Sequence, residues 1–409
     1  MSNTEKIQKI EPRLLKGFRD YGPTEQLARQ QMFVKIQSVF ERFGFLPLAT
    51  PVLEYKEILM GKYGEDEKLI YSFKDNGDRD VAMRYDLTVP LARYVAQNQG
   101  QLTFPFKRYQ IAPVWRADNP QKGRLREFYQ CDVDAVGTDS PVSDAEVIAC
   151  VCQAMEAVGV TNYKVRLNDR SVFKDFSVAT IRAIDKLDKI GVEGIVAEMA
   201  SNEVSEEEIE RAKSLVTGGN SNMPEGVANI IKMLESYNLS GVVEYDPTIA
   251  RGLDYYTGTV FETTLVDKPE FGSICSGGRY DNLVDTFSSQ SLPAVGGSIG
   301  IDRLIAALTE MGNLEVVQPI RALILNQNEA LMLEYSKLAA DLRSQNINVE
   351  LYYTAAKLDK QFKYAESKGI PFAIIMGDTE VKDGTVQLKD LAKREQVTLP
   401  VAELSGKLK

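Results

Sequence analysis

The segment from Phe106 to Gly137 constrains the fold of this chain most, because it predicts two strands joined by a basic loop. Aromatic and β-branched residues are frequent in 109–115 and 127–136, and polar residues separate the two runs, as in an antiparallel strand pair. Between Lys107 and Arg126 the chain has one acid, Asp118, and six basic residues: Lys107, Arg108, Arg116, Lys122, Arg124 and Arg126. Such dense positive charge indicates an anionic partner such as a polyphosphate. A basic hairpin exposed to solvent is the alternative.

A second unusual stretch, Arg251–Glu262, reads RGLDYYTGTVFE. An arginine precedes two glycines that flank an aspartate and two tyrosines, and the stretch continues into a predicted strand. Glycine permits a tight turn or a close approach to a ligand, and the arginine offers a planar set of donors to a phosphate or a carboxylate. A strand edge with a surface ion pair is the alternative.

The chain contains no histidine. No protein imidazole can therefore act as a general base or bind a metal, and any kinetic pKa near about 6.5 is expected to come from a substrate. The four cysteines do not suggest a zinc site, because Cys150 and Cys152 are two residues apart on a predicted helix and face different sides. We expect free thiols and a mechanism that uses arginine, lysine, carboxylates, hydroxyls and bound ions.

Length and charge bound the organisation of the chain. A chain of 409 residues is expected to form about two or three domains. The net charge of −10 argues against a surface that binds nucleic acid everywhere, but residues 319–409, with 13 basic and 12 acidic residues, are nearly neutral. No apolar run suggests a signal peptide or a membrane span, so we expect a cytoplasmic protein.

Two pairs of polar residues are predicted to share a strand face. Asp86 and Thr88, in the segment Met83–Pro90, are two residues apart and together offer acceptors to an ammonium group. A solvated strand face is the alternative for this pair. Gln130 and Asp134 are four residues apart on the second strand of the basic hairpin, so they also point to one side.

In their order along the chain, these motifs resemble those of the histidyl-tRNA synthetases, a family of class II aminoacyl-tRNA synthetases. The stretches RGLDYYTGTVFE and Ser276–Leu283 (SGGRYDNL) are similar to the two signatures of that family. The predicted helix 23–42 with the extended run after it resembles motif 1. Residues 106–137 resemble motif 2, and Ala294–Leu304 (AVGGSIGIDRL) resembles motif 3.

The resemblance implies an α+β catalytic domain with an antiparallel sheet of the class II synthetase type, a helical insertion and a C-terminal α/β anticodon-binding domain. The implied boundaries are 1–170 and 241–312 for the catalytic core, 171–240 for the insertion and 319–409 for the anticodon-binding domain. Alternating strands and helices after Ile320 predict a mainly parallel sheet in the last domain, with a hairpin through Asp383 and Gly384.

The resemblance also implies roles for individual residues. Arg116 and Arg251 would approach the α-phosphate from opposite sides and act in catalysis. The residues implied for L-histidine are Asp86, Thr88, Arg116, Gln130, Asp134, Arg251, Tyr255 and Tyr256. Those implied for ATP are Arg116, Asp118, Arg124, Phe128 and Arg303. Mg²⁺ would bridge the phosphates, and no metal site made of protein ligands is expected.

The implied reaction is the ATP-dependent attachment of histidine to tRNA(His) through histidyl-adenylate, by a homodimer with no membrane contact. Gln121 and Lys122 would contact the tRNA acceptor end. One alternative is the synthetase-like regulatory subunit of ATP phosphoribosyltransferase, which does not charge tRNA. Another is a class II ligase for a different amino acid, against which Asp134 and Tyr256 argue.

Overall fold

The computed structural model describes residues 10–120, 123–218, 223–250 and 255–409. The chain divides into two compact units, Met1–Glu315 and Val316–Lys409. Among the described residues, no helix is long and apolar enough to cross a membrane.

The first unit combines helices and strands throughout its length. Its helices α1 to α9 are Pro23–Arg42, Lys56–Leu59, Thr88–Asn98, Pro141–Ala157, Val178–Ile184, Leu187–Ser201, Glu206–Thr217, Glu225–Glu235 and Ile301–Glu310. Its strands β1 to β11 are Leu46–Pro47, Leu53–Tyr55, Ser72–Lys74, Asp80–Met83, Phe106–Trp115, Glu127–Val136, Tyr163–Asp169, Val243–Tyr245, Thr259–Leu265, Ser273–Arg279 and Ala294–Gly300.

Eight of these strands form one sheet in the order β1-β5-β6-β11-β10-β9-β7-β8. The two outer pairings, β1 with β5 and β7 with β8, are parallel, and the central pairings are antiparallel. Strands β2, β4 and β3 form a separate small antiparallel sheet. The antiparallel core predicted from the sequence is therefore confirmed.

Strand β6 shows how the large sheet separates core from cavity. Its residues Cys131, Val133 and Ala135 belong to the main hydrophobic core, which also includes side chains of α1, α4, α8 and α9. The alternate residues on the opposite face are polar and line a cavity. This alternation follows from the two-residue period of a strand, and it places the polar side chains of β6 on a rigid support.

The helical segment between β7 and β8 contributes to two cores. Helices α5, α6 and α7 share a small core that includes Ile184, Met199 and Leu215. Helix α8 instead places Ile230 and Leu234 in the main core. The segment predicted as an insertion is therefore helical, and its last helix is part of the packing beneath the large sheet.

The second unit is an α/β module. Its strands β12 to β16 are Ala322–Ile324, Val349–Leu351, Phe372–Ile375, Thr385–Asp390 and Gln396–Pro400, and its helices α10 to α13 are Met332–Ser344, Leu358–Ser367, Asp378–Asp383 and Val401–Leu408. The strand order is β13-β12-β14-β15-β16. The pairings of β12 with β13 and β14 are parallel, whereas β14–β15 and β15–β16 are antiparallel, so the sheet is mixed rather than mainly parallel.

The predicted hairpin through Asp383 and Gly384 is wrong. Asp383 is the last residue of α12, and Gly384 ends that helix in the left-handed conformation with φ 66°. Glycine adopts this conformation without a steric penalty and commonly ends helices for that reason. The hairpin of this unit instead joins β15 to β16.

All four cysteines are buried and unpaired. Burial raises the pKa of the thiols of Cys131, Cys150, Cys152 and Cys275 above its ordinary value. The thiols are therefore protonated and shielded, which agrees with the free thiols expected from the sequence. The described residues contain no group of three or more acidic or cysteine side chains that could hold a metal ion.

Candidate active site

A cavity of about 330 Å³ opens on the polar face of the large sheet. Eleven of the twelve residues proposed from the sequence line this single cavity: Asp86, Thr88, Arg116, Asp118, Arg124, Phe128, Gln130, Asp134, Tyr255, Tyr256 and Arg303. The twelfth, Arg251, lies outside the described residues, as do Gln121 and Lys122. Residues that are far apart in the chain are therefore brought together, while their individual roles remain predictions.

Asp86 and Thr88 do not lie on a strand, so that part of the prediction is wrong. Strand β4 ends at Met83, and Thr88 is the first residue of α3. Asp86 Oδ1 accepts hydrogen bonds from the backbone N–H groups of Thr88 at 3.1 Å and Val89 at 3.0 Å. The carboxylate thus caps the first turn of α3 and is fixed in place, and it still faces the cavity.

The Asp86 carboxylate also accepts hydrogen bonds from two tyrosines. The Tyr63 hydroxyl donates to Oδ1 at 3.0 Å, and the Tyr255 hydroxyl donates to Oδ2 at 3.1 Å. Burial raises the pKa of Asp86, and the hydrogen bonds together with Arg116 oppose that shift. The Tyr255 ring stands edge-on to the Tyr256 ring at 5.1 Å between centroids. The tyrosines therefore form a rigid wall beside a buried acid.

Asp134 is held by two partners of its own. Arg108 Nη2, on the neighbouring strand β5, lies 2.8 Å from Asp134 Oδ2, and both side chains are almost fully buried. The Tyr280 hydroxyl donates to Asp134 Oδ1. The β5–β6 register places Arg108 directly opposite Asp134. The acid predicted to receive the imidazole is therefore already paired inside the protein.

Asp132 is a cavity residue that the sequence analysis missed. It lies on β6 between Gln130 and Asp134, on the same face, and it is 2% exposed. Its Oδ1 atom has no hydrogen-bond partner within the described part of the chain. The signal was available, because the period of two that joins Gln130 to Asp134 also includes residue 132.

Burial raises the pKa of Asp132 to about 7, and the negative charges of Asp134 and Asp86 raise it further, whereas Arg108 and a hydrogen bond from Ser298 lower it. Asp132 is therefore a second candidate, beside a substrate, for the origin of a kinetic pKa near about 6.5.

The other end of the cavity is basic. The Arg116 guanidinium lies 4.2 Å from the ring centroid of Tyr85 and 5.2 Å from that of Phe128, and its Nε donates to the Tyr85 carbonyl at 3.0 Å. Burial lowers the pKa of Arg303, and the positive charges of Arg124 and Arg116 lower it further. Three guanidinium groups thus converge on one space, as a polyphosphate site requires.

Not all of the basic hairpin serves this end of the cavity. Arg108 is paired with Asp134, and Lys107 is paired with Glu146 at 2.7 Å. Arg126 Nε donates to the Asp118 carbonyl at 3.0 Å. Arg124 itself contacts Asp118 at 2.9 Å. The density of charge in the sequence therefore overstated the number of free cations, because several of them have protein partners.

Two glycines allow the strands under the cavity to pack closely. A Cβ atom on Gly277 would lie 2.2 Å from the Gly296 carbonyl oxygen, and one on Gly296 would lie 1.9 Å from Asp134 Oδ1. A side chain at either position would collide with the protein itself. These two glycines therefore bring neighbouring strands and the Asp134 carboxylate close together.

Comparison with known proteins agrees with this geometry. The family model for histidyl-tRNA synthetase matches residues 17–304, and the model for the anticodon binding domain matches residues 321–409. A histidine–tRNA ligase of Rhodopirellula baltica is 43% identical over 94% of this chain and 95% of its own length. This chain belongs to the histidyl-tRNA synthetase family. The family suggested by the sequence motifs is thereby confirmed.

Solved structures place the chain within the same histidyl-tRNA synthetase fold. The crystal structure of histidyl-tRNA synthetase from Nostoc sp. PCC 7120 superposes with a TM-score of 0.86 at 32% identity, over 98% of this chain and 99% of that one. A Bacillus halodurans C structure titled as an ATP phosphoribosyltransferase regulatory subunit/histidyl-tRNA synthetase superposes with a TM-score of 0.69 at 22% identity, over 87% of this chain and 97% of that one. That second likeness shows a shared fold alone.

The family match covers both units of the molecule. It includes the cavity with its acidic and basic ends, and separately the α/β module that begins after β11 and α9. The predicted combination of a class II catalytic domain with an anticodon-binding domain is confirmed at this level. The family does not assign roles to residues of this chain, so the roles are taken up below.

Proposed function

We propose that this protein is a histidine–tRNA ligase that joins L-histidine to tRNA(His) at the expense of ATP. The observation that carries the proposal is one cavity with a buried acidic end and a basic end, in a chain of this family. The acidic end suits the ammonium and imidazole groups of histidine. The basic end suits the phosphates of ATP, which brings the amino-acid carboxylate next to the α-phosphate.

In the first step the histidine carboxylate attacks the α-phosphate of ATP, and pyrophosphate leaves. The carboxylate is already ionised, so no protein base is required, and the protein contributes position and positive charge. Arg116 lies between Tyr85 and Phe128, where it can reach both carboxylate and α-phosphate. Arg124 and Arg303 face the same space and suit the outer phosphates, and Phe128 suits the adenine ring.

Arg251 is retained as a proposal that rests on the family signature. Its role would be to contact the α-phosphate from the side opposite Arg116.

Asp86, Thr88 and Tyr255 suit the α-ammonium of histidine, because Asp86 Oδ2 accepts one hydrogen bond from Tyr255 and has room for another. Gln130 Oε1 is a second buried acceptor that has no partner among the described residues.

Magnesium fits this site only as an ion held mainly by ATP. Mg²⁺ bound with nucleotide phosphates needs only one or two carboxylates and keeps several waters. Glu262 lines the cavity beside Arg303 and could supply one such oxygen. The ion would neutralise part of the phosphate charge, and the arginines would orient the phosphates.

In the second step the terminal ribose hydroxyl of the tRNA attacks the histidyl carbonyl carbon, and AMP leaves. We assign recognition of the tRNA(His) anticodon to the second unit, which matches the anticodon-binding model. An enzyme of translation works in the cytoplasm, and we place this protein there. The domain boundaries predicted from the sequence also remain part of this proposal.

We further propose that the protein is a homodimer. Several large apolar side chains on α1 and the short strands after it are exposed in the single chain: Val34, Leu46, Leu53, Tyr55 and Phe73. Leu53, Tyr55 and Phe73 lie on strands of the same small sheet, and exposed apolar surface is typical of a protein interface. Sedimentation equilibrium tests the assignment, and a monomer at micromolar concentration would contradict it.

The decisive experiment is amino-acid-dependent exchange of pyrophosphate into ATP, measured with each of the twenty amino acids. We expect exchange with histidine alone, followed by transfer to tRNA(His) when the tRNA is added. Exchange with no amino acid would favour the regulatory-subunit alternative, and exchange with another amino acid would favour a different ligase.

A further inference from the structure

One carboxylate at the basic end of the cavity, that of Asp302, is bound by groups from three other parts of the chain. Asp302 is the second residue of α9 and lines the cavity. Its Oδ1 accepts a hydrogen bond from the Tyr21 hydroxyl at 2.8 Å, and Arg29 Nη1 lies 3.0 Å from the same oxygen. Its Oδ2 accepts a hydrogen bond from the backbone N–H of Tyr129 at 2.7 Å. Asp302 therefore joins α9 to the segment before α1, to α1 itself and to β6.

The Arg29 guanidinium is enclosed between aromatic rings. Arg29 is 1% exposed, and its guanidinium carbon lies 3.8 Å from the ring centroid of Tyr21 and 4.8 Å from that of Tyr129. A buried cation is costly unless it is paired, and Asp302 supplies the opposite charge. Tyr21 and Tyr129 contact both members of this ion pair, so the four groups hold one another in place.

The residues next to these contacts are the ones proposed for ATP. Arg303 follows Asp302 on α9, and Phe128 precedes Tyr129 on β6. Arg303 and Phe128 both line the cavity, whereas Tyr21 does not. A functional side chain is held precisely only when its own element is fixed by surrounding contacts. The bonds to Asp302 therefore fix the helix and the strand that present a guanidinium and an aromatic ring to the nucleotide.

The segment 16–21 also contacts the hairpin formed by β5 and β6. The backbone N–H of Arg126 donates to the Gly17 carbonyl at 2.8 Å. Gly17 has φ 87°, and a Cβ atom there would lie 2.8 Å from the Arg126 side chain, so the segment packs tightly against the hairpin. It thus contacts both the hairpin that carries Arg124 and the helix that carries Arg303.

We propose that Tyr21 and Arg29 are positioning residues for ATP, which act through Asp302 to hold Arg303 and Phe128 at the nucleotide. The inference rests on the proposed function and deepens it, because it adds two residues that lie outside the cavity. The ligand class is a nucleoside triphosphate. A change at either residue should affect the nucleotide without removing any group that contacts it.

The acidic end of the cavity has supports of its own. Asp86 is fixed by the first turn of α3 and by two tyrosines, and Asp134 by its ion pair to β5. Gln130 Nε2, although it follows Tyr129 directly, donates to Ser298 on β11 at 2.9 Å. Loss of the contacts to Asp302 should therefore weaken ATP binding and leave histidine binding nearly unchanged.

The test measures ATP affinity by titration calorimetry, together with kcat and both KM values of pyrophosphate exchange. Tyr21→Phe removes only the hydroxyl and keeps the ring against Arg29, so ATP should bind about threefold to tenfold more weakly. Arg29→Met removes the cation, and the displacement of α9 should weaken ATP binding about tenfold to a hundredfold. Arg29→Lys keeps the charge and should recover part of this loss. The KM for histidine should stay within about twofold of the wild-type value in all three variants.

Ile36→Val is the matched control on the same helix. Ile36 is fully buried in the main core and is not a cavity residue, so the variant should lower the Tm and bind ATP as the wild type does. A double variant tests the route of the effect. Tyr21→Phe combined with Asp302→Asn should bind ATP no more weakly than Asp302→Asn alone, because both changes remove the same contact.

The proposal is overturned if folded Tyr21→Phe and Arg29→Met both bind ATP within about twofold of the wild type, or if Ile36→Val weakens ATP binding as much as they do. An equal rise in the KM values for ATP and histidine would also overturn it, because that result indicates a general loss of structure. Failure of the broader function would appear in the wild type itself, as an absence of histidine-dependent exchange. Titration of the variants with ATP alone still tests the two positioning residues in that case.

Discussion

The two ends of the cavity handle charge in opposite ways. At the acidic end Asp86, Asp132 and Asp134 are each at most 2% exposed and are fixed by neighbours or left without a donor. At the basic end Arg116 and Arg303 are half-buried and Arg124 is exposed. A buried charge is expensive without a partner, whereas an exposed one is solvated. The acidic end therefore suits a cationic group that is held in one position, whereas the basic end suits a polyphosphate that keeps part of its hydration.

The largest effect is expected from breaking the ion pair at the acidic end. Arg108→Met leaves the Asp134 carboxylate buried without its cation, which costs about 3–5 kcal/mol and should lower the Tm at pH 8 by roughly 10 °C. Burial raises the pKa of Asp134, so the loss should be smaller at pH 5 than at pH 8, because a lower pH favours the uncharged form of the carboxyl group. Thermal unfolding followed by circular dichroism at the two pH values measures this.

Lys164→Met is the control for that variant. Lys164 pairs with Glu244 at 3.0 Å on the sheet edge, with both side chains nearly half exposed, and such pairs contribute at most about 1 kcal/mol. Equal destabilisation by the two variants would show that the acidic end is no more sensitive to charge than the protein surface.

At the basic end the effect should fall on the rate rather than on stability. Arg116→Ala should reduce pyrophosphate exchange about a hundredfold to a thousandfold, because one contact to the developing charge is lost, while its Tm stays within a few degrees. Arg116→Lys should be intermediate, since lysine keeps the charge but not the planar fork.

Lys107→Ala provides the matched control in the same hairpin. Lys107 is paired with Glu146 and is not a cavity residue, so exchange should remain close to that of the wild type. If the Ala variants of Arg116 and Lys107 lost pyrophosphate exchange equally, Arg116 would have no special role in the reaction compared with a basic residue outside the cavity.

A smaller effect concerns the pH dependence of stability. The pKa of Asp132 is raised to about 7 in the folded protein from an ordinary value near about 3.9, so the folded state keeps a proton that the unfolded chain releases. Stability from this group is therefore lost as the pH rises from about 4 to 7 and stays low above that. The Tm of Asp132→Asn should equal that of the wild type near pH 4 and exceed it by a few degrees at pH 8. A constant difference across this range, measured by differential scanning calorimetry, would contradict the assignment.

The smallest effect is expected for a change at the basic end that should affect ATP binding and leave histidine binding unchanged. Phe128→Leu should raise the KM for ATP about fivefold to tenfold through the loss of stacking on adenine, and it should leave the KM for histidine unchanged. Steady-state exchange with each substrate varied in turn gives both constants. A parallel rise in both would mean that Phe128 supports the whole cavity rather than the adenine subsite.

Most of the cavity was predictable because its residues lie in motifs with strong local patterns. The strand ends at Trp115 and Glu127 even fix the register that places Arg108 opposite Asp134, so the buried ion pair could have been deduced from the hairpin. Asp132 was equally accessible from the strand period. The dense positive charge of the hairpin pointed to a ligand, although Arg108 is paired with Asp134 inside the protein.

Other features could not be read from the sequence because tertiary contacts decide them. Asp86 follows a short strand and looks like its continuation, but it caps α3 through the backbone of Thr88 and Val89. Asp383 and Gly384 resemble a hairpin turn, yet the six residues before the glycine form α12. Buried Arg29 lies 3.0 Å from Asp302 across 273 positions of chain, a pairing without any local signature.

The close approach of Gly296 to Asp134 also restricts how this enzyme can evolve. Any side chain at position 296 would overlap the carboxylate oxygen that receives the Tyr280 hydroxyl, so position 296 can change only after position 134 has lost its acid. Saturation mutagenesis of residue 296 alone should recover glycine almost exclusively. A library aimed at a different amino acid should therefore vary the two codons together, because a side chain at residue 296 fits only when the acid at residue 134 is absent.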